Sequence, residues 1–410
     1  MARLFVDTTP LKRSREFRLL FIGFLVSTVG NQLTLVAIPW QVYQETHSNF
    51  QVGLISAAQF VPLICGSLLG GSVGDHMDRR TIMLWTSIAL STTSALLAVN
   101  AWVFSSDLAI LYGIAMVAAF LAGFSNPSRT AAIPLLVEGE HLQAALAFNQ
   151  IVLQFGGVIG PLIGAVSIAL IGIPMTYALD AFSFSAVVIT SLMLKPIPPA
   201  PGAMRPGLKS IAEGFSFLRG KPILQGVYLV DLNAMICGLP RALFPAMAVT
   251  VFHGGPGVLG LLTAAPGVGA FLGAITTGWL VRVRRRGRAI SISVAVWGAA
   301  MVGFGLTKSL ILALVFLGVA GWADVLSAVL RNTILQTSIP DHFRSRLSAI
   351  QIAVVQGGPK LGDLESGTVA ALSSTAVSVV SGGLLCILGV ALLAVRRPQF
   401  YAEQAPDIVP

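Results

Sequence analysis

Ionisable side chains recur inside segments of this chain that are otherwise apolar: Asp180, Asp231, Arg241, Asp324, Arg331, Lys360, Asp363 and Glu365. Such groups are costly in an apolar setting and mark paths for ions or polar ligands. A carboxylate in a partly dry cavity can exchange a proton at each change of conformation, and a buried cation can attract an anion. Asp231, with Asn233 two residues on, is the preferred cavity acid, and Asp324 the second. Lys360 and Asp363 are three residues apart and can share a helix face, whereas Glu365 points elsewhere. Asn31 and Gln32 could hydrogen-bond a ligand or a neighbouring helix. Arg241 and Lys360 offer positive charge to an anionic ligand, and Phe60, Phe155 and Phe244 offer rings to stack on.

Other chemistries lack their residues. There is no Gly-rich loop ending in Gly-Lys-Ser/Thr for ATP, and no zinc-type His pair or Ser-His-Asp arrangement among five histidines. Cys65, Cys237 and Cys386 lie in apolar runs without metal-ligand spacing, so neither a metal nor a cofactor is expected.

The elements that must carry these residues are membrane helices. Hydrophobic residues make up 55% of the chain and charged residues 10%, far from the roughly 25% charge of soluble domains. Apolar runs long enough to cross a bilayer recur throughout. Hydropathy places twelve spans, at 17–42, 51–74, 81–101, 107–128, 145–172 and 175–195, then 223–250, 257–281, 288–307, 309–332, 347–371 and 374–395. Residues 1–195 and 223–410 form two six-helix bundles. The Pro-rich stretch 196–222 links them and turns amphipathic at Ile211–Leu218. The expected fold is all-α and integral to the membrane, with the bundles pseudo-symmetric: a shift of 202 residues carries Arg129 onto Arg331, Gly156 onto Gly358 and Gly160 onto Gly362. Duplicated membrane domains of this kind rock about a site between their halves.

Net charge is +9, but the basic residues cluster at the ends of apolar runs, which argues for a lipid bilayer and against nucleic acid. Of 26 Lys and Arg, 23 fall at the N-terminus, the even-numbered loops and the C-terminus with their adjoining helix ends. The odd-numbered loops hold only Lys308, so both termini are expected in the cytoplasm. The first apolar run lacks a small-residue cleavage site and reads as a retained span.

Two motifs are more specific. After span 2 the chain reads Gly71-Ser-Val-Gly-Asp75-His-Met-Asp78-Arg79-Arg80. This resembles the Gly-x-x-x-Asp-Arg-x-Gly-Arg-Arg loop of the major facilitator superfamily, with His76 in place of Arg and Asp78 in place of Gly. The resemblance implies a conformational latch at Asp75, with Gly71, Asp78, Arg79 and Arg80 around it and Arg129 and Arg331 as interface or latch partners. The matching loop after span 8 carries Arg282, Arg284, Arg285, Arg286 and Arg288 without an acid, and can latch differently or bind anionic lipid. Span 5 holds Gly156, Gly160, Pro161 and Gly164, which resemble the Gly-Pro motif of that superfamily's antiporters, although the upstream glycine expected near Phe148 is absent. Its small residues permit tight packing, and Pro161 removes a backbone donor.

With Phe17-Arg18, Gln51-Val-Gly-Leu, Leu335-Gln336-Thr337 and Arg344-Ser-Arg346, the chain resembles, over nearly its full length, the enterobactin-exporter group of the twelve-span drug:proton antiporters. That resemblance implies a monomeric, proton-driven exporter in the bacterial inner membrane. It would pass a small, amphiphilic, anionic siderophore to the periplasm, with hand-off to an outer-membrane efflux channel. The same branch contains multidrug and macrolide exporters, which remain the alternative. A non-transporting sensor is disfavoured, because linker and tails are too short for a signalling domain. The expected class is transport, not enzymatic.

Overall fold

The computed structural model describes residues 7–74, 76–103, 107–198, 216–339, 347, 350–351 and 353–402. Asp75, most of the linker and most of the approach to span 11 lie outside them; of the expected amphipathic helix only residues 216–218 are described, and these are helical. The chain divides into two compact units, Met1–Glu45 with Ala58–Arg205, and Thr46–Ala57 with Pro206–Pro410.

The first unit begins with α1 (Thr9–Arg13) and α2 (Arg15–Thr46), and continues with α4 (Phe60–Gly74), α5 (Arg79–Val103), α6 (Leu108–Leu136) and α7 (Leu142–Met193). The second holds α3 (Asn49–Ala58) and then α8 (Pro222–Cys237), α9 (Phe244–Thr250), α10 (Pro256–Thr276), α11 (Arg286–Leu306), α12 (Leu310–Ser338), α13 (Gly358–Leu372), α14 (Thr375–Arg396) and α15 (Pro398–Tyr401). Among the described residues, ten helical segments are long and apolar enough to cross a membrane. One of them contains α7, which supplies two expected spans and reverses at Gly172, where φ is +81°. The all-helical membrane fold is the expected one, because a helix satisfies its own backbone polar groups where lipid cannot. Trp85 and Trp102 are exposed near the two ends of α5. Seventeen residues of helix separate them by about 26 Å, close to the thickness of a hydrocarbon core.

Two expected spans are broken. Span 2 divides at Gln59 into α3 and α4, since Pro62 has no N–H to bond Ala58 and its ring crowds that carbonyl. Span 7 divides at Gly238–Pro240 into α8, a 3-10 turn at Arg241–Leu243, and α9. Trp297 Nε1 donates to the Gly238 carbonyl at 2.7 Å and meets the acceptor that the break exposes. Span 11 enters through a π-helical turn, Ala353–Gly357, immediately before Pro359. The duplication shows in the backbone too: His47 and His253, just past the first span of each half, have φ of 49° and 50°.

Within each unit, glycines let paired helices touch backbone to backbone. Gly66 and Gly70 of α4 lie against Phe120 and Phe124 of α6, and Gly123 of α6 against the Leu63 carbonyl. In the second unit Gly269 of α10 meets Gly318 of α12, and Gly321 meets the Pro266 carbonyl. A side chain at position 123 would overlap backbone that cannot move aside, whereas Gly113 on the same helix faces open space. Gly123→Leu should therefore cost about 2 kcal/mol or more and lower the thermal midpoint in detergent, with Gly113→Leu indistinguishable from the parent.

Candidate functional site

The densest group of intramembrane charges lies in the second unit, around one arginine. Asp324, Ser327 and Arg331 sit three, four and seven residues apart on α12 and share a face. Arg331 Nη1 donates to Ser327 Oγ at 2.8 Å. Its Nη2 lies 3.0 Å from Asp231 Oδ1 on α8 and 3.8 Å from Asp324 Oδ1. Arg331 and Asp231 are almost wholly buried, whereas the Asp324 side chain is 32% exposed. The contact to Asp231 is close but off the N–H direction, since Asp231 Oδ1 has no aligned donor. One guanidinium thus serves two carboxylates, and neither holds it in the aligned two-bond clasp that makes an Arg–carboxylate pair strong.

This trio borders a cavity of about 200 Å³ that Tyr228, Asn332 and Gln351 also line. Gln351 Nε2 donates to Asn332 Oδ1 at 2.7 Å, and Tyr228 Oη to the Leu347 carbonyl at 3.2 Å. Val355, from the π-helical turn, closes another wall. π-Turns displace a helix face by one residue and recur at functional sites.

A second group surrounds Asp363 on α13. Its Oδ1 accepts from the Ala242 backbone N–H at 3.0 Å and its Oδ2 from Ser56 Oγ of α3 at 2.7 Å. Asp363 therefore caps the helical turn that restarts span 7 after its break. Arg241 and Lys360 lie within electrostatic reach of it. Gly358 and Gly362 bring α13 against Met235 and Ile236 of α8. Glu365 is half-buried, with Cys237 in its field.

Several sequence expectations change here. Arg331, expected as an interface or latch partner, lies against Asp231, Asp324 and Ser327 of its own unit. Asn233 leaves the cavity: two residues on from Asp231 it lies on another helix face, and its Nδ2 donates to the Cys386 carbonyl of α14 at 2.9 Å. Phe244 is fully buried edge-on against Phe304 at 5.9 Å and cannot stack on a ligand. Gln32 packs on Gly160 and reaches the Gly156 carbonyl at 3.4 Å. Asn31 is exposed. The stripe Gly156, Gly160 and Gly164 packs on α2, beside buried Pro161. Phe148, at the position of the missing glycine, instead fills an aromatic contact with Phe21 at 5.5 Å.

The loop after α4 is also engaged inside its own unit. Asp78 Oδ1 accepts from Ile197 N at 2.9 Å, Arg79 Nη1 donates to the Pro198 carbonyl at 3.1 Å, and Arg80 Nε to the Ser191 carbonyl at 2.7 Å. Arg80, which also reaches the Leu192 carbonyl at 3.0 Å, caps the carbonyl end of α7, where cations are favoured, while Asp78 and Arg79 hold the stretch of chain that follows it. Gly71 lies in the last turns of α4, and Asp75 is outside the described residues. Arg129 stacks 3.6 Å over the Phe24 ring, and its Nη2 donates to Asn126 Oδ1 at 2.7 Å.

Comparison with known proteins fits this architecture. A family model described as a transmembrane secretion effector, MFS_3, matches residues 7–408. The chain belongs to that family. As a member of the major facilitator superfamily, the protein is a multi-pass membrane transporter and not an enzyme. It is 30% identical over 404 residues to the enterobactin exporter EntS of Citrobacter koseri, covering 98% of this chain and 97% of that protein. EntS of Escherichia coli strain K12 is 30% identical over 405 residues with the same coverage. Solved structures share the fold alone. A POT family transporter in complex with a thioalcohol-conjugated peptide has TM-score 0.76 at 11% identity, covering 94% of this chain and 96% of that one. The nucleoside transporter NupG has TM-score 0.69 at 12% identity, covering 94% and 98%.

Sequence reasoning missed Ser327, Tyr228, Asn332, Gln351 and Ser56. Ser327 and Tyr228 were within reach of it, each one turn from a flagged charge; Ser56, 307 residues from Asp363, had no local signal. Arg331→Ala should destabilise the protein by about 3–5 kcal/mol, because it leaves two carboxylates without their cation. The triple variant Arg331→Ala, Asp231→Asn, Asp324→Asn should recover much of that loss, read as the thermal midpoint in detergent.

Proposed function

We propose that this protein is a proton-coupled exporter of an anionic, siderophore-like amphiphile, with the Asp231–Arg331–Asp324 trio as its proton-exchange site. The observation that carries the coupling is the sharing of one arginine by two carboxylates beside a cavity. With both acids ionised the trio holds one negative charge in excess; one proton makes it neutral. A carboxylate that is alternately wetted and dried changes its proton affinity, which is what a coupled carrier needs. Alternating exposure of the site to the two sides of the membrane would then convert proton entry into substrate exit.

The substrate class rests on the likeness to enterobactin exporters over almost the whole chain. Size separates substrate from proton site. The cavity of about 200 Å³ is smaller than the roughly 300–1,000 Å³ that enclose a drug-sized ligand, so the trio handles protons while the bulk of the cargo is held elsewhere. Arg241 and Lys360 are the basic groups proposed to attract an anion. The proposed setting is the bacterial inner membrane, with both termini cytoplasmic and residues 1–195 and 223–410 as the moving halves. The antiporter-type stripe on span 5 and a latch at Asp75 are proposed parts of the cycle.

The test is siderophore content of medium and cells from deletion and complemented strains under iron limitation. Loss outside with accumulation inside, reversed by complementation, is the expected result. Unchanged siderophore with altered tolerance to unrelated lipophilic drugs would assign multidrug efflux instead. In energised vesicles, Asp231→Asn and Asp324→Asn should each reduce uncoupler-sensitive export to background. Normal, uncoupler-sensitive export by both variants would remove the trio from proton coupling.

A further inference from the structure

Asp180 is the only Asp, Glu, Lys, Arg or His in the 52 residues of α7, and it is 1% exposed. No ion pair reaches it among the described residues. Its neighbours are hydroxyls from three helices. Thr34 Oγ1 of α2 donates to Asp180 Oδ2 at 2.6 Å, and Ser94 Oγ of α5 donates to the same oxygen at 2.8 Å. Oδ1 is different. Its polar neighbour is Ser183 Oγ at 3.5 Å, and that hydroxyl donates its single proton to the Asp180 backbone carbonyl at 2.7 Å. Gly30 of α2 also faces Oδ1.

This inventory matches a neutral acid and not a carboxylate. A protonated carboxyl has one oxygen that accepts twice and one O–H that donates once. Oδ2 accepts twice, and an Oδ1–H would donate to Ser183 Oγ, which has a free lone pair. The acid proton is then directed at Ser183 Oγ, 3.5 Å away, and both hydrogen bonds to Oδ2 are kept. An ionised group would leave Oδ1 charged and buried with one long contact, the Ser183 hydroxyl at 3.5 Å, whose proton is better placed on the Asp180 carbonyl at 2.7 Å, a costly arrangement in a protein interior. The charged groups on the packed helices lie at their ends and have other partners. Arg79 and Arg80 of α5 bond carbonyls at Pro198, Ser191 and Leu192, Arg15 pairs with Glu16, and Arg18 reaches the Leu11 carbonyl. The titratable neighbour on α7 is Tyr177, one turn away, whose hydroxyl donates to Gln41 Oε1 at 2.6 Å; Glu45 at the end of α2 lies in reach of Tyr177.

We infer that Asp180 is a proton-binding site of a second kind: it holds a resident proton between Oδ1 and Ser183 Oγ, and as a neutral acid it ties α2, α5 and α7 together without taking part in the transport cycle. The inference stands on the first unit alone and does not depend on proton coupling in the second.

The experiment is infrared spectroscopy of the purified full-length protein in lipid nanodiscs, as the parent-minus-Asp180→Asn difference at neutral and mildly alkaline pH. The expected result is a carbonyl-stretch band of a protonated carboxylic acid that the variant lacks and that sodium does not alter. Asn is isosteric with the neutral acid: its Oδ1 accepts from Thr34 and Ser94 while its Nδ2 donates to Ser183. Asp180→Asn should therefore keep the parent thermal midpoint and export rate, whereas Asp180→Leu should lower the midpoint. Should Asp180→Asn fail to fold, Thr34→Val with Ser94→Ala retains the carboxyl, and the same band must move to higher frequency as its hydrogen bonds are lost. Carboxylate bands alone, a band erased by sodium, or no response to the Thr34 and Ser94 changes would each overturn the assignment; erasure by sodium would reassign the oxygens to a metal cation.

Discussion

In hydrocarbon, a backbone N–H or C=O without a partner costs several kcal/mol, so each interruption of a span needs a side chain to repair it. Span 7 shows how far that constraint reaches. Its break at Gly238–Pro240 exposes a carbonyl, and the indole of Trp297 meets it; the restart at Arg241 exposes N–H groups, and the carboxylate of Asp363 meets one of them. Ser56, from α3, completes Asp363. Three elements distant in sequence are thereby fixed around one break. The same break lets Arg241 leave the line of α8, so that Asp231 stays in a continuous helix facing α12 while Arg241 sits at the start of a new turn. The placement of charge in the second unit follows from the repair of its backbone.

The duplication has diverged where charge is concerned. Arg129 and Arg331 occupy matching places, yet their surroundings are opposite. Arg331 lies between two carboxylates and a hydroxyl. Among the described residues Arg129 has an aromatic face and an amide, which hold a cation without neutralising it and leave its Nε unbonded. Shifting Asp231 and Asp324 by the repeat of 202 gives Val29 and Ala122, so the first copy has no acids at those places. Its buried acid, Asp180, is held by hydroxyls on a different helix. Two copies of one helical plan thus carry different electrostatics.

The fold was legible because its cause is compositional: apolar runs of membrane length leave the backbone one solution, and of Pro62, Pro161 and Pro240 it was Pro161 that was singled out beforehand. That Pro62 and Pro240 break their spans while Pro161 is carried within α7 was not, because the outcome depends on what packs alongside. In the site, the acids could be nominated singly, since an ionisable residue in an apolar run is conspicuous whatever it touches. Their pairing could not. Asp324 and Arg331 are two turns apart on one helix, which sequence spacing allows, but the approach of α8 that brings Asp231 to the same guanidinium is a tertiary fact. Motif likeness led Arg331 toward a latch, and contacts more than a hundred residues long, such as Arg80 to Ser191, turned the rest of that loop inward. Asn233 was a local error: helical periodicity alone sets it off the face of Asp231.

What separates a working proton site from a structural one is access and the ease of changing partner. Asp324 is partly open to a cavity, and its cation lies at 3.8 Å with a competitor at 3.0 Å, so loss or gain of one proton can be absorbed by a small shift of Arg331 from one acid to the other. Asp180 has no ion-pair partner among the described residues, and its two short hydrogen bonds converge on one oxygen; on the inference drawn above, removing its proton would leave a charge with little to share it. Burial alone would rank Asp180 first among coupling candidates. Partner chemistry reverses that order, because a carboxyl whose neighbours are complete in one protonation state resists the other, whereas two acids competing for one arginine have no state in which both are satisfied. In the proposed exporter, that built-in competition is what would let the trio respond to protons.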